Sequence, residues 1–381
     1  MTILFVLHYS GFYGANKSLL TLVSLLRERY SVTPIVLLPN RGVVCDELEN
    51  AEIEYHIFHY YWWVNDNHGF FQWLLNKRKQ LINGWNVKKI CSWAKEKSID
   101  LVYTNSICVN LGYLMAKRLG LPHIWQARES LVQFSLSLSL SLTRSLAIWK
   151  SPTNKKYLLI SDYMMNYYRK YLPSNRMVRV YNGVSLPCGI SRINKNIIEG
   201  RLQVCCIGVL SEQKNQIELL NALKILLERG TEIDVWLLGT GESAYIEELQ
   251  SYIDQSCLNQ YVHLVGHTND VFQVLQVMNL GVVCAHDEAF GRVTVEYMLM
   301  QMPVIASQSG ANAELIVPGV TGNVYPLGDT AALADAIELY VNKPDLLALQ
   351  GCAGESVAKQ NYSAERNAEQ IYSIIQDVLN S

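Results

Sequence analysis

No Cys-x-x-Cys pair occurs anywhere in the chain. Its nine cysteines are odd in number and scattered, a usage that favours free thiols in a reducing compartment over a disulfide frame or a zinc site. No apolar run approaches the roughly 20 residues needed to cross a bilayer as a helix. The opening stretch MTILFVLHYS lacks the basic flank of a signal peptide, and its short apolar run predicts a first strand. Charge is sparse as well, at 17% of residues against 50% apolar, a balance that predicts a globular chain rather than a disordered one. The 381 residues exceed one compact core, so two domains are expected.

The charge that is present is unevenly placed. Residues 1–187 carry 22 Lys+Arg against 11 Asp+Glu, whereas residues 188–381 carry 10 against 23. A basic half joined to an acidic half points to an anionic partner for the first half: nucleic acid, a membrane face or a phosphorylated acceptor. The plainer alternative is two lobes that attract each other.

Strand-like apolar runs alternate with helical patterns throughout. ILFVLHY precedes a loop with Gly11 and Gly14, then KSLLTLVSLLRER, in which Leu19, Leu20, Val23 and Leu26 recur at helical spacing. TPIVLLP, IDLVYTNS, HIWQA and YLLIS continue the strand series, and the helix VNLGYLMAKRLG ends on Gly120. The turn Asn182-Gly183 closes the first series. The pattern restarts with LQVCCIGVL and runs through IDVWLLGTG, VHLVG, LGVVCAH and PVIASQS with helical segments between. Such alternation predicts an α/β chain of two Rossmann-like domains, with parallel sheets covered on both faces and a cleft between them. Ligands in these folds bind outside the carboxyl ends of the strands. The expected domains are 1–185, N-terminal; 186–361, C-terminal; and 362–381, a closing helix that packs back towards the N-terminal domain.

Two stretches depart from this pattern. Residues 55–97 gather Tyr60, Tyr61, Trp62, Trp63, Phe70, Phe71, Trp73 and Trp85 with Lys77, Arg78, Lys79, Lys88 and Lys89. Half-wet rings and bases suit the headgroup zone of an anionic membrane; the alternative is an aromatic satellite core with a solvated basic rim. A groove for single-stranded nucleic acid uses the same residue types, but two nucleotide-binding-like domains weigh against it, and no nucleic-acid partner is expected. The second stretch is FSLSLSLSLTRSL, residues 134–146. Its alternation argues for a strand and its position, where a crossover is due, for a helix.

The segment HDEAFGRVTVEYM places Glu288 and Glu296 around Phe290-Gly291. The strand before Glu288 ends at LGVVCAH, and a helix is expected from about Arg292, with Gly291 at an anion-favouring entrance. Glu296 falls in the second turn, where an acceptor-only carboxylate can hold both hydroxyls of a vicinal diol. In one helix the two carboxylates would stand roughly 12 Å apart along the axis, beyond the ~5–9.5 Å of paired hydrolase carboxylates. They read as two grips on one long ligand, and a nucleotide sugar has the parts to fill them.

DEAFGRVTVEYMLMQMPVIASQSGANAELIVPGVTGNVYPLGD resembles the donor-site block of retaining glycosyltransferases of family 4, which have the GT-B fold. FYGANKSLLTLVSLL, VYNGV, IGVLSEQKNQIELLNAL and LLGTGE resemble further parts of that family, so the likeness covers nearly the whole chain. It is weakest over residues 45–100 and 130–155. It implies transfer of a sugar, with retention, from a nucleoside diphosphate donor (UDP- or GDP-sugar), with residues 1–185 the acceptor-side domain and 186–361 the donor-binding one. The basic, aromatic N-terminal half points to a membrane-associated, lipid-linked glycan acceptor in cell-surface polysaccharide synthesis. The resemblance implies no cofactor and no metal. Glu288 would orient the donor sugar, and Glu296 would hold the ribose. Phe290 and Gly291 would offer backbone to the sugar, Arg292 and Val293 amides to the diphosphate. Lys214 would neutralise the leaving diphosphate, and Gly14 would let the N-terminal loop approach the phosphates.

The pattern also breaks. Where the family usually carries an Arg after the strand glycine, Gly208 is followed by Val209 and Leu210. Where it often has a His in the N-domain, WQARES offers Arg128 and Glu129, candidates for the acceptor side or a surface ion pair. Ala311 replaces the usual second glycine after Gly310. The expected setting is cytoplasmic, peripheral on the cytoplasmic face of an anionic membrane. An epimerase of similar architecture and a non-catalytic nucleotide-binding relative are the alternatives.

Overall fold

The computed structural model describes residues 1–65, 70–131, 137–138, 142–187, 189–190, 200–268 and 270–381. The chain divides into two compact units, Met1–Gly183 with Ala364–Ser381, and Val184–Ser363.

The first unit is built on a seven-stranded parallel sheet in the order Glu54–Ile57, Thr33–Leu38, Thr2–Val6, Leu101–Thr104, His123–Ala127, Asn154–Leu159, Met177–Arg179. The first strand is apolar along its length because both of its faces are covered: Ile3, Leu4, Phe5 and Val6 are all buried. The following helix, Gly14–Tyr30, buries Leu19, Leu22, Val23 and Leu26, one stripe at helical spacing. The helix Leu111–Leu119 stops at Gly120, which takes the left-handed conformation that a residue with a Cβ resists (φ 73°).

The closing helix, Ala364–Leu379, belongs to this unit. Ala368, Ile371, Ile375 and Val378 enter the same core as Leu19 and Leu26. Tyr372 stacks on Tyr30 with ring centroids 4.1 Å apart, and Asn367 donates to the carbonyl of Tyr181 at 2.6 Å. Gly183 has no room for a side chain there, since a Cβ would stand 2.6 Å from the Cα of Ala364.

The stretch that departs from the pattern in sequence, residues 55–97, and the residues before it form regular elements where they are described. These are a helix at Val43–Asn50, the strand Glu54–Ile57 and a helix at Phe70–Lys95. Asn83, Val87, Ile90, Cys91 and Ala94 form the buried stripe of the long helix. Its aromatic neighbours divide in two. Tyr60 and Trp63 are core residues: the Tyr60 hydroxyl donates to the Leu7 carbonyl at 2.6 Å, and Trp63 lies 5.8 Å from both Trp125 and Trp149. Trp62 and Trp85 face outward. The Ser-Leu repeat falls largely outside the described residues. Within it, Ser137–Leu138 pairs antiparallel with Val64–Asn65, and a helix runs over Leu142–Trp149.

The second unit holds a six-stranded parallel sheet in the order Val262–Gly266, Ile233–Leu238, Leu202–Ile207, Leu280–Val283, Val304–Ser307, Gly322–Tyr325. Strand order reverses beside Leu202–Ile207, so the loops that follow Ile207 and Val283 flank the topological switch point, where doubly wound sheets bind ligands. The eight cysteines among the described residues are unpaired, and no helix among them is long and apolar enough to cross a membrane.

Candidate functional site

The switch point of the second unit brings Lys214 and Glu288 together. Lys214 lies on the loop after Leu202–Ile207 and Glu288 on the loop after Leu280–Val283; its ammonium donates to the Glu288 carboxylate in a close ion pair. The two loops are also joined through the backbone, with the His286 N–H donating to the Gln213 carbonyl at 2.8 Å. The Lys214 side-chain carbons run past Gly208, whose φ of +155° suits glycine. Gly239 packs so tightly here that a Cβ would stand 1.8 Å from the Gly208 carbonyl oxygen. Val209, at the position where an Arg was expected from the family, is 52% exposed.

Glu288 is held from behind by the segment after Val304–Ser307. The Ser309 hydroxyl accepts from the Asp287 N–H at 2.7 Å, and the Ala311 N–H donates to the Glu288 carbonyl at 2.6 Å. Gly310, between them, has φ +58°, and a Cβ would lie 2.2 Å from the oxygen and 2.4 Å from the nitrogen of Glu288. This close approach explains why a glycine stands at position 310. Gly310→Ala is therefore expected to displace the Glu288 backbone and cost about 1–3 kcal/mol through overpacking, on top of its backbone strain. Gly319→Ala is the control, because Gly319 also has positive φ (+75°) but open space around it. Thermal unfolding should show the larger loss at Gly310; equal losses would contradict the clamp.

Gly291 caps the helix Arg292–Leu299 in the left-handed conformation, φ 85°. The helix start carries the positive end of the dipole. Arg292 and Glu296 lie one turn apart, with the Arg292 Nε donating to the Glu296 carboxylate at 2.8 Å. Glu288 sits before the helix, on the loop, as its spacing implied. Val293 is half-buried on the first turn. The Phe290 ring is turned inward, 3% exposed and edge-on to Tyr362, so what Phe290 can present to a ligand is its backbone.

Gly14, Arg128 and Glu129 belong to the first unit. Gly14 is the exposed first residue of the helix Gly14–Tyr30. Arg128 and Glu129 follow the strand His123–Ala127 and are buried, which corrects the surface ion pair. Arg128 donates to the side-chain oxygens of Asn105 at 2.7 Å and Asn182 at 2.6 Å. Glu129 accepts from the Ser106 hydroxyl at 2.9 Å, and the His8 Nε2 stands 3.5 Å from its other oxygen. Burial pushes the Glu129 carboxyl up to about 7, against the pull of Ser106 and the Arg128 charge. Burial, with the Arg128 charge, pushes His8 down to about 3, so the ring is neutral near pH 7.

Sequence reading missed His8, Asn105, Ser106 and Asn182 in this cluster. Three of the four lie just past a strand end, and that placement was the available signal: His8 after Thr2–Val6, Asn105 and Ser106 after Leu101–Thr104. It also missed Tyr297, whose hydroxyl accepts from the Ile207 N–H at 2.8 Å and ties the helix carrying Glu296 to the strand that leads to Lys214. Among the described residues no cluster of His, Cys, Asp and Glu is placed to hold a metal ion.

Residues 190–356 match the family model of glycosyl transferases group 1. The chain is 30% identical over 185 residues to the lipopolysaccharide core biosynthesis mannosyltransferase LpcC of Rhizobium leguminosarum bv. viciae, covering 48% of this chain and 53% of that protein. It is 26% identical over 182 residues to the capsular polysaccharide biosynthesis glycosyltransferase CapM of Staphylococcus aureus, covering 48% and 46%. The chain thus spans about half the length of these curated relatives. The crystal structure of HepE from Anabaena in complex with UDP is similar over 99% of this chain and 100% of that one, with a TM-score of 0.79 and 21% identity. With its two Rossmann-like sheets and this likeness, the chain has the GT-B fold. Lys214, Glu288, Arg292 and Glu296 all fall within residues 190–356, the part of the chain that is similar to the glycosyl transferases group 1.

Proposed function

We propose that this chain is a retaining glycosyltransferase. It moves a sugar from a UDP- or GDP-sugar to a lipid-linked glycan acceptor in cell-surface polysaccharide synthesis. The observation that carries the reading is the meeting of Lys214 and Glu288 at the switch point of the second unit, one loop away from the helix start at Gly291. The names of the relatives, a lipopolysaccharide core mannosyltransferase and a capsular polysaccharide glycosyltransferase, support the chemical class. The UDP held by the structural neighbour supports the donor type.

In this reading Glu296 accepts from the ribose hydroxyls and Glu288 from the sugar hydroxyls. The Phe290-Gly291 backbone borders the sugar, and the amides of Arg292 and Val293 meet the diphosphate. The bond from the anomeric carbon to the diphosphate breaks, and a bond from the acceptor oxygen to the same carbon forms on the same face. The acceptor proton passes to the departing phosphate, whose growing charge Lys214 and the helix start stabilise. That task needs no metal ion. Arg128 and Glu129 of the first unit serve the acceptor.

The acceptor's membrane is met by the helix Phe70–Lys95. It has six basic residues and no acidic one, and it exposes Lys77, Arg78, Lys88 and Lys89 beside Leu81 and Trp85, which are 67% and 76% exposed. This supports a peripheral setting on an anionic membrane, on its cytoplasmic face in our reading.

The test has two arms. Purified protein in EDTA should release nucleoside diphosphate from its cognate sugar nucleotide only when a lipid-linked acceptor is present, and the product linkage should keep the donor's anomeric configuration. An isomerised sugar nucleotide formed without acceptor would sink the reading in favour of an epimerase. Separately, binding to anionic vesicles should be lost when Lys77, Arg78, Lys79, Lys88 and Lys89 are replaced by Ser; undiminished binding would remove the membrane assignment.

A further inference from the structure

The charges of the candidate donor site are paired with each other before any ligand arrives. Lys214 contacts Glu288, and Arg292 contacts Glu296 at 2.8 Å. These are not loose surface pairs. The side chains of Lys214 and Glu288 are 27% and 16% exposed, those of Arg292 and Glu296 20% and 13%. A carboxylate so placed is costly to leave without a partner.

From this we infer that Glu288 is a specificity-determining residue, which makes the site prefer a sugar nucleotide over the bare nucleoside diphosphate. The inference rests on the donor-site reading and deepens it. When a diphosphate enters, the Lys214 ammonium turns from Glu288 to the phosphates. Glu288 must then find other hydrogen-bond donors. A donor sugar supplies them, because its hydroxyls can donate to an acceptor-only carboxylate. A bare diphosphate supplies none. Its terminal phosphate is itself an acceptor and carries the extra negative charge that the sugar ester removes, so it stands against Glu288 as a like charge. The same pair thereby holds the cation in place for the donor and weakens the grip on the spent nucleotide after transfer.

Glu288→Gln tests this. The amide keeps the shape, removes the charge and releases Lys214. Calorimetric titration should show the nucleoside diphosphate binding about tenfold more tightly to the variant than to the unaltered protein, one decade on the affinity scale. The sugar nucleotide should bind no more tightly than before, so the ratio of the two dissociation constants shifts by that decade. Adding Lys214→Ala to the variant should abolish the gain. Glu288→Ala is the second variant, with the same direction expected, and a melting temperature for each confirms the fold. An unchanged ratio, or weaker binding of the diphosphate in both Glu288 variants, would overturn the inference while leaving the donor site standing. Absence of binding of any UDP or GDP compound to the unaltered protein would overturn the donor-site reading, and the inference with it.

Discussion

Replacing Lys214 by Ala is expected to lower the rate of sugar transfer by roughly 10²–10³-fold, the range seen when one preorganised charge-stabilising donor is removed. The expectation comes from where the lysine sits. It follows the central strand Leu202–Ile207, at the edge where the strand order of the sheet reverses. Its side chain is 27% exposed, so its charge is only partly screened by water. The position after Gly208, where the resemblance led to an Arg being expected, is Val209 here, and a valine cannot share the load. Lys214→Arg should recover part of the rate, because the charge returns with a different shape. The loop itself should survive: Asn215 holds its turn with φ 53°, and the Lys214 N–H donates to the Ser211 carbonyl at 2.9 Å whatever the side chain. Single-turnover rates at saturating donor are the measurement. A loss of less than threefold would remove Lys214 from the chemistry.

Glu296→Ala is expected to weaken nucleotide binding by about 10²-fold, the worth of two charge-assisted hydrogen bonds at ~1.5–3 kcal/mol each less the cost of ordering. The residue lies in the second turn of Arg292–Leu299, a helix pinned from beneath by the Tyr297 hydroxyl between Ile207 and Cys205. Its partner Arg292 fixes one carboxylate oxygen at 2.8 Å. A ribose that offers two hydroxyls uses the acceptor capacity that remains. A 2′-deoxynucleotide should therefore bind more weakly than its ribonucleotide to the unaltered protein, and the difference should largely vanish in Glu296→Ala. This double-mutant cycle separates a direct ribose contact from a general disturbance. Equal discrimination by both proteins would place Glu296 elsewhere than on the ribose.

The two doubly wound sheets were legible in the sequence because their central strands are buried on both faces. LQVCCIGVL, IDVWLLGTG and LGVVCAH read as largely apolar runs, and Leu202–Ile207, Ile233–Leu238 and Leu280–Val283 are the strands they form. The Glu288 and Glu296 segment was legible because its strand end, glycine entrance and helix follow one another along the chain. What could not be read comes from residues far apart in sequence. The Lys214–Glu288 pair spans 74 positions and the Arg128–Asn182 contact 54. The helix Phe70–Lys95 was obscured for a different reason. Its buried stripe, Val87, Ile90, Cys91 and Ala94, is modest beside the apolar residues it exposes, Leu75, Leu81 and Trp85 among them. A helix with apolar side chains on both faces shows weak periodicity, and the aromatics around it drew attention to composition instead. Arg128 and Glu129 were singled out in the sequence, where a surface ion pair stood as the alternative to an acceptor-side role, and their burial could not be read there. Asn105, Ser106 and Asn182 are the polar partners that let them be buried.

The proposed site in the second unit takes a nucleoside diphosphate sugar without a metal ion. Titrating the purified protein with UDP, GDP and ADP by calorimetry in EDTA tests this most directly. One nucleotide, UDP or GDP, should bind without metal, and the heat should disappear, or the affinity fall by about two decades, with Glu296→Ala. A folded protein that binds none of the three would contradict the proposal.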